Sequence, residues 1–258
     1  MSQATPITSR ENPLLRELRK LAHDNAAYRK VGRFWVEGDH LCSAALQRGL
    51  QPQVAVFTED FWPLAPPAYA QAARKSVVVP AALFRELSAL ESPAGVGFVL
   101  ELPHDLALQP TASTVVLDRV QDAGNVGSIL RSAGAFGFKQ IIALTGTAAL
   151  WSPKVLRAGM GAHFGMTLVE GAAIDDVAAL GLPIVGTHLR DAQWLHATTL
   201  PHPLAWVFGH EGQGMSEAVS AACTLRVRIA QPGGEESLNV AAAAAMCLYE
   251  SARQHVPA

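Results

Sequence analysis

The stretch TVVLDRVQDAGNVGSILRSAGAFGFKQIIALT, residues 114–145, sets the architecture of the chain. TVVLD and QIIALT are runs of strand length and strand composition, and the segment between them reads as a loop that turns into a helix. Three more such runs follow, LPIVGT, LAWVFG and LRVRI, each leading into a loop or helix. Strands this apolar suit a parallel sheet covered on both faces, so the second half of the chain reads as a wound α/β layer. In such a layer ligands bind beyond the carboxyl ends of the strands, and the loops after the strands are where chemistry is sought.

Upstream, residues 12–100 also alternate. RFWVEG, VAVF, SVVVP and GVGFVL are strand-like, and DHLCSAALQRG and AALFRELSAL are helical. The proline-bearing stretch ELPHDLALQPTAS, residues 101–113, fits a connector. The expected organisation is a small α/β domain over residues 1–104, a linker over 105–112 and a mostly parallel α/β domain over 113–258.

Composition narrows the function. Of the 258 residues, 50% are hydrophobic and 16% charged, which describes a folded, soluble chain. No apolar run approaches the ~20 residues of a membrane span, and MSQATPITSRENP lacks the apolar centre of a signal peptide, so a cytoplasmic protein is expected. Cys42, Cys223 and Cys247 lie too far apart to suggest a metal site and read as buried thiols, and the histidines show no ligand spacing. No metal is expected. A net charge of −2 argues against coating nucleic acid by bulk charge. The first 33 residues nevertheless carry Arg10, Arg16, Arg19, Lys20, Arg29, Lys30 and Arg33 against three acids. This arm reads either as a solvated helix face or as a local phosphate-binding patch.

Three loops stand out: DRVQDAGNVGSILRSAGAFG (118–137), GHEGQGMS (209–216) and IAQPGGEESLN (229–239). None has the glycine spacing of a dinucleotide fingerprint or a P-loop, which disfavours NAD and ATP. In the first loop Asn125 reads as a helix N-cap, with Gly127, Arg131 and Gly134 on one stripe, so that the arginine would rise between bare glycines toward phosphate or sugar oxygens. A structural ion pair is the competing reading. In the second, Glu211 follows an apolar strand and needs a partner, for which Arg131 is the candidate. The third leads into the alanine-rich run VAAAAAMCL, a helix expected to be buried nearly all round, with Ser237 as its cap, Glu235 and Glu236 at the positive end of its dipole, and Ser237-Leu238-Asn239 placed as at a ligand site.

These loops resemble the three signature motifs of the SpoU (TrmH) RNA ribose 2′-O-methyltransferases of the SPOUT superfamily: NVGSILR, GHEGQGMS and ESLNVAAAAAM. SRENPLLRELRKL, FWVEGDHL and SPAGVGFVL resemble the family's small N-terminal substrate-binding domain, of L30e-like α/β type. The resemblance implies a C-terminal α/β trefoil-knot domain holding S-adenosyl-L-methionine, a last helix kept slim and uncharged for threading, and a homodimer whose subunits together bind RNA. It implies reaction residues Asn125, Arg131, Glu211, Ser237 and Asn239, and cofactor contacts at Thr187, Gly209, Ile229 and Leu238. An arginine with a pKa above ~12 suits positioning of the ribose and stabilisation of oxyanion charge better than proton abstraction, which a substrate phosphate could serve. The expected RNA contacts are Arg16, Arg19, Lys20 and Arg33, and the resemblance favours ribosomal over transfer RNA. Ala123 and Ala230 stand where the family usually has proline. This bears on cofactor affinity, and it raises the alternative of an RNA-binding protein that keeps the fold without turnover.

Overall fold

Asn12 and Pro13 start the first long helix, α1 (Pro13–His23): the Asn12 side chain accepts from the Leu14 amide at 3.0 Å, and proline in the first turn forfeits no helical hydrogen bond. A computed structural model describes residues 4–104, 106–189, 191–233 and 237–255 of the protein. Leu15, Leu18, Leu21 and Ala22 form the buried stripe of α1, and Arg16 and Lys20 are exposed.

The first unit is built on five strands: β1 (Thr5–Pro6), β2 (Arg33–Glu37), β3 (Val54–Thr58), β4 (Lys75–Val79) and β5 (Val96–Glu101). Their order is β1-β4-β3-β5-β2. The pairs β1–β4 and β4–β3 are parallel, and β3–β5 and β5–β2 are antiparallel. Helices α2 (Ala27–Val31), α3 (Asp39–Gln47), α4 (Pro67–Ala72) and α5 (Ala81–Arg85) connect them. The last is only half of the run AALFRELSAL. Phe34, Phe57, Phe84 and Phe98 are wholly buried among them. Gly97 is glycine for a steric reason, because a Cβ there would stand 2.1 Å from the Trp35 ring.

The second unit begins with β6 (Thr114–Asp118), α6 (Ala123–Ala135) and β7 (Gln140–Leu144). The chain then returns to the first unit over Trp151–Phe164, which carries α7 (Pro153–Gly159). It resumes the second with β8 (Thr167–Ala172), α8 (Ile174–Ala178), β9 (Ile184–Thr187), β10 (Gln193–Trp194), β11 (Ala205–Gly209), α9 (Glu217–Ala222), β12 (Leu225–Arg228) and α10 (Val240–His255). All pairs in the seven-stranded sheet, order β10-β12-β9-β11-β6-β7-β8, are parallel. Every residue of β6, β7 and β11 is buried. In the expected linker, Leu108 packs on the second unit's core and Gln109 exchanges hydrogen bonds of 2.8 and 3.3 Å with Gln140.

Helix α10 departs from expectation. It buries one stripe, Ala244, Cys247, Leu248 and Ser251, rather than its whole circumference, and Met246 and Tyr249 are exposed. Its packing partners explain this: α10 lies on α6 and touches β11, where Trp206 Nε1 donates to Ser251 Oγ at 2.7 Å, so the sheet covers only one side. Cys42 and Cys247 are buried thiols, whereas Cys223 is half-buried. Among the described residues, no helix is long and apolar enough to cross a membrane and no side-chain cluster could hold a metal ion.

Candidate active site

Four neighbouring strands, β12-β9-β11-β6, bring their carboxyl ends side by side, and the three singled-out loops leave three of them. The order in which strands are added reverses here: β7 and β8 continue to one side of β6, and β11 and β9 lie on the other. A parallel sheet opens a crevice at such a point.

The first loop is fixed by two aspartates. Asp118, 2% exposed at the end of β6, accepts from the Ser216 amide at 2.6 Å and from Arg119 Nε at 3.2 Å. Arg119 takes a left-handed backbone (φ 60°), uncommon for a side chain with a Cβ, and reaches Gln213 Oε1 at 3.1 Å, so it ties the first loop to the second. Asp122, not Asn125, is the N-cap of α6 and accepts from the Asn125 amide at 2.8 Å. The shift has a chemical consequence, because Asn125 in the first turn keeps its side chain available for other partners.

The second loop folds back tightly. His210 and Gly214 exchange backbone hydrogen bonds of 3.0 and 2.8 Å, with Gly214 at φ 69°. Gly209 permits the return, since a Cβ there would lie 2.3 Å from the Gly214 carbonyl carbon and the Met215 nitrogen. The turn presents Glu211. Its carboxylate accepts from the Gln121 amide at 3.2 Å, the Asp122 amide at 3.0 Å and Asn125 Nδ2 at 3.0 Å. Desolvation works to raise the Glu211 pKa, but the bonds from Asn125 and the backbone amides outweigh it and hold the carboxyl at about 2. Glu211 is therefore a standing anion at neutral pH, unfit to take up a proton. The expected Arg131 partnership is replaced by these amide donors.

The third loop closes the arrangement. Asn239 Oδ1 accepts from the amides of Ala241 and Ala242 at 2.9 and 3.1 Å, which makes Asn239, and not Ser237, the cap of α10. Its Nδ2 donates to Asn125 Oδ1 at 2.9 Å. A chain Asn239–Asn125–Glu211 thus joins all three loops across sequence separations of 114 and 86 residues. Ser237 is exposed two residues away, and Glu235 and Glu236 lie outside the described residues.

Arg131 stands apart from this chain. It is exposed on α6, and its guanidinium makes no hydrogen bond or ion pair among the described residues. It does not rise between open glycines, because Gly127 is buried and Gly134 half-buried where α10 packs on α6. Thr187 ends β9, Gly209 ends β11, Ile229 follows β12, and Leu238 precedes the Asn239 cap. Near them Gln231 Oε1 is buried with no hydrogen-bond partner among the described residues, an orphaned acceptor of the kind a ligand would satisfy. In the basic arm, Arg19 is committed to Glu86 at 2.6 Å and Arg33 to Glu17 at 2.8 Å, whereas Arg16 and Lys20 are exposed and unpaired among the described residues. Asp118, Arg119, Asp122 and Gln231 were not legible as site residues. The one signal for Asp118 is a charge closing an apolar strand.

Comparison with known proteins agrees with this architecture. Residues 112–249 match the model of the SpoU rRNA Methylase family, and residues 12–97 that of the MRM3-like substrate binding domain. An uncharacterised tRNA/rRNA methyltransferase of Synechocystis sp. is 33% identical, over 98% of this chain and 95% of its own length. The 23S rRNA (guanosine(2553)-2′-O)-methyltransferase of Bacillus subtilis is 28% identical over 94% and 97%. The solved structure of an AdoMet-bound rRNA methyltransferase from Sinorhizobium meliloti superposes with a TM-score of 0.85 at 25% identity, covering 99% of both chains.

Proposed function

The chain belongs to the SpoU rRNA methylase family, and on that basis we propose that it methylates a ribose 2′-hydroxyl of ribosomal RNA at the loops beyond β6, β11 and β12. It is an S-adenosylmethionine-dependent enzyme. The observation that carries the site is the Asn239–Asn125–Glu211 chain, which fastens three distant loops into one surface.

The residues present fit the cofactor. Strand ends at Thr187, Gly209 and Ile229, the Leu238 backbone and the Gln231 oxygen, which has no partner among the described residues, offer polar groups at the carboxyl ends of neighbouring strands. S-adenosylmethionine supplies an electrophilic methyl group on a sulfonium. This chain's part is to bring the ribose hydroxyl in line with it, where approach and orientation account for much of the rate. Glu211 fixes Asn125 and the first turn of α6, and Asn125 in turn fixes Asn239. Arg131, exposed on α6, holds the ribose or its phosphate and stabilises charge on the attacking oxygen. Ser237 completes the polar rim. A substrate phosphate takes the proton, since Glu211 is held ionised and a guanidinium is in general a poor base.

The same reading threads the chain near α10 into a trefoil knot and pairs two copies through the uncharged face of that helix. It gives the first unit RNA docking, with Arg16 and Lys20 as phosphate contacts, Arg19 and Arg33 serving through their ion pairs, and the linker region passing between the two functions. The bacterial ribosomal-RNA methyltransferases among its relatives favour a cytoplasmic enzyme. The test is Arg131→Ala: transfer of labelled methyl to RNA falls by at least about a hundredfold while cofactor affinity by calorimetry stays within several-fold, the pattern of a group that acts in the transition state. Equal loss of both would make Arg131 structural.

A further inference from the structure

Trp194 is 41% exposed, and it is held in an unusual way. It lies on the two-residue edge strand β10, in register with Arg228 at the end of β12, and the Arg228 guanidinium carbon sits 3.8 Å from the centre of its ring. Arg228 forms no ion pair among the described residues, and its Nε is buried without an acceptor. The indole is thus clamped on one side by a cation that has no anionic partner among the described residues. The exposed His196 ring extends the surface 6.1 Å away, 27° from parallel. The place matters: Arg228 directly precedes Ile229, so the pair sits at the carboxyl edge of the sheet where the third loop begins. Glu211 leaves β11, three strands across from β10, a span of roughly 14 Å at ~4.8 Å per strand.

A rigid aromatic face backed by a cation matches single-stranded nucleic acid, whose bases stack on the ring while their phosphates meet the charge. An edge that served only to end the sheet is ordinarily blunted by charge alone and has no use for an exposed indole. We propose that Trp194 and Arg228 form a stacking platform for an unpaired base flanking the target nucleotide, and so help select the RNA segment presented to the loops. The proposal rests on the methyltransferase reading for its location, but its chemistry is read without turnover.

The test compares short oligoadenylate and oligouridylate, which carry the same phosphates and differ in stacking strength. The wild type binds oligoadenylate more tightly and its tryptophan emission is quenched on binding. Trp194→Ala weakens oligoadenylate binding about tenfold or more, as loss of one stacked base should, and abolishes the preference. Trp194→Phe restores most of it, and Arg228→Gln weakens both oligonucleotides alike and lowers the salt slope by about one. On RNA substrate, Trp194→Ala raises KM with kcat and cofactor affinity within twofold. Equal wild-type affinity for the two oligonucleotides, or a preference that survives Trp194→Ala, overturns the platform. Absence of cofactor binding by the wild type would instead overturn the methyltransferase reading, because the oligonucleotide measurement uses no cofactor.

Discussion

Glu211 works by acceptance. Two backbone amides and the Asn125 amide group converge on its two oxygens, so Glu211→Gln turns one acceptor into a donor that faces a donor. Methyl transfer is expected to fall about ten- to hundredfold through misplacement of Asn125, with stability lowered by about 1 kcal/mol, the low end for a missing acceptor because water reaches this site. The sign of the pH effect follows from the depressed pKa. The carboxylate's contribution is complete above the unfolded value of about 4.3 and is lost as pH falls toward about 2. Thermal unfolding of wild type and Glu211→Gln across that window should show curves that converge in acid; parallel curves would remove Glu211 from the pH response. Asn125, Glu211 and Asn239 were legible because each is a polar residue at fixed spacing in a glycine-rich loop after a strand. The helix caps were not. Both misplaced caps lie two or three residues from the true ones, Asp122 and Asn239, since Ser, Asn and Asp are nearly interchangeable as caps and only the fold decides among neighbours.

Among the elements, α1 separates charge that is free from charge that is spent. Arg19 holds Glu86 and Arg33 holds Glu17, but Arg16 and Lys20 face solvent. Reversing Arg16 and Lys20 to glutamate should flatten the salt dependence of RNA binding by about one unit for each phosphate no longer neutralised, with cofactor binding unchanged. Arg19→Ala should act mainly on stability, and only slightly, since a solvent-screened surface pair contributes little. Identical salt slopes for wild type and the doubly reversed variant would reduce α1 to a solvated face. The sequence could not divide these four cations, because the acids that do so are distant along the chain: Glu86 is 67 residues from Arg19 and Glu17 is 16 from Arg33. Strands β8 and β10 also escaped notice: Glu170 and Gly171 interrupt the apolar run of the first, and the second is two residues long.

For the molecule as a unit of assembly, the proposed pairing of subunits rests on the uncharged first half of α10 and its exposed apolar side chains. Met246 and Tyr249 are exposed, Tyr249 meets Phe136 edge-on at 5.8 Å, and from Val240 to Leu248 no residue is charged. Such a face is costly to leave in water, and a stable pair of subunits often covers ~2,000 Å². Sedimentation at micromolar concentration is expected to give twice the 27.3 kDa chain mass, and Met246→Glu to shift it toward one chain. A wild type that sediments as one chain would refute pairing. The alternation of strands and helices was readable across nearly the full length, because buried parallel strands are written as unbroken apolar runs.

The excursion Trp151–Phe164 could not be read this way, as no local pattern says which core a segment will join. Its consequence concerns how the protein is made. Phe34 packs against Trp151 at 4.6 Å and Ala44 lies against Gly161, so the first unit lacks part of its own core until residue 164 has been synthesised. On the ribosome the amino-terminal third must wait, incomplete, through the first strands of the other unit. A fragment cut at residue 104 would keep that gap permanently, with the Phe34 ring uncovered. Gene fusion or exchange of the amino-terminal module among relatives would therefore have to carry this short internal segment along with it.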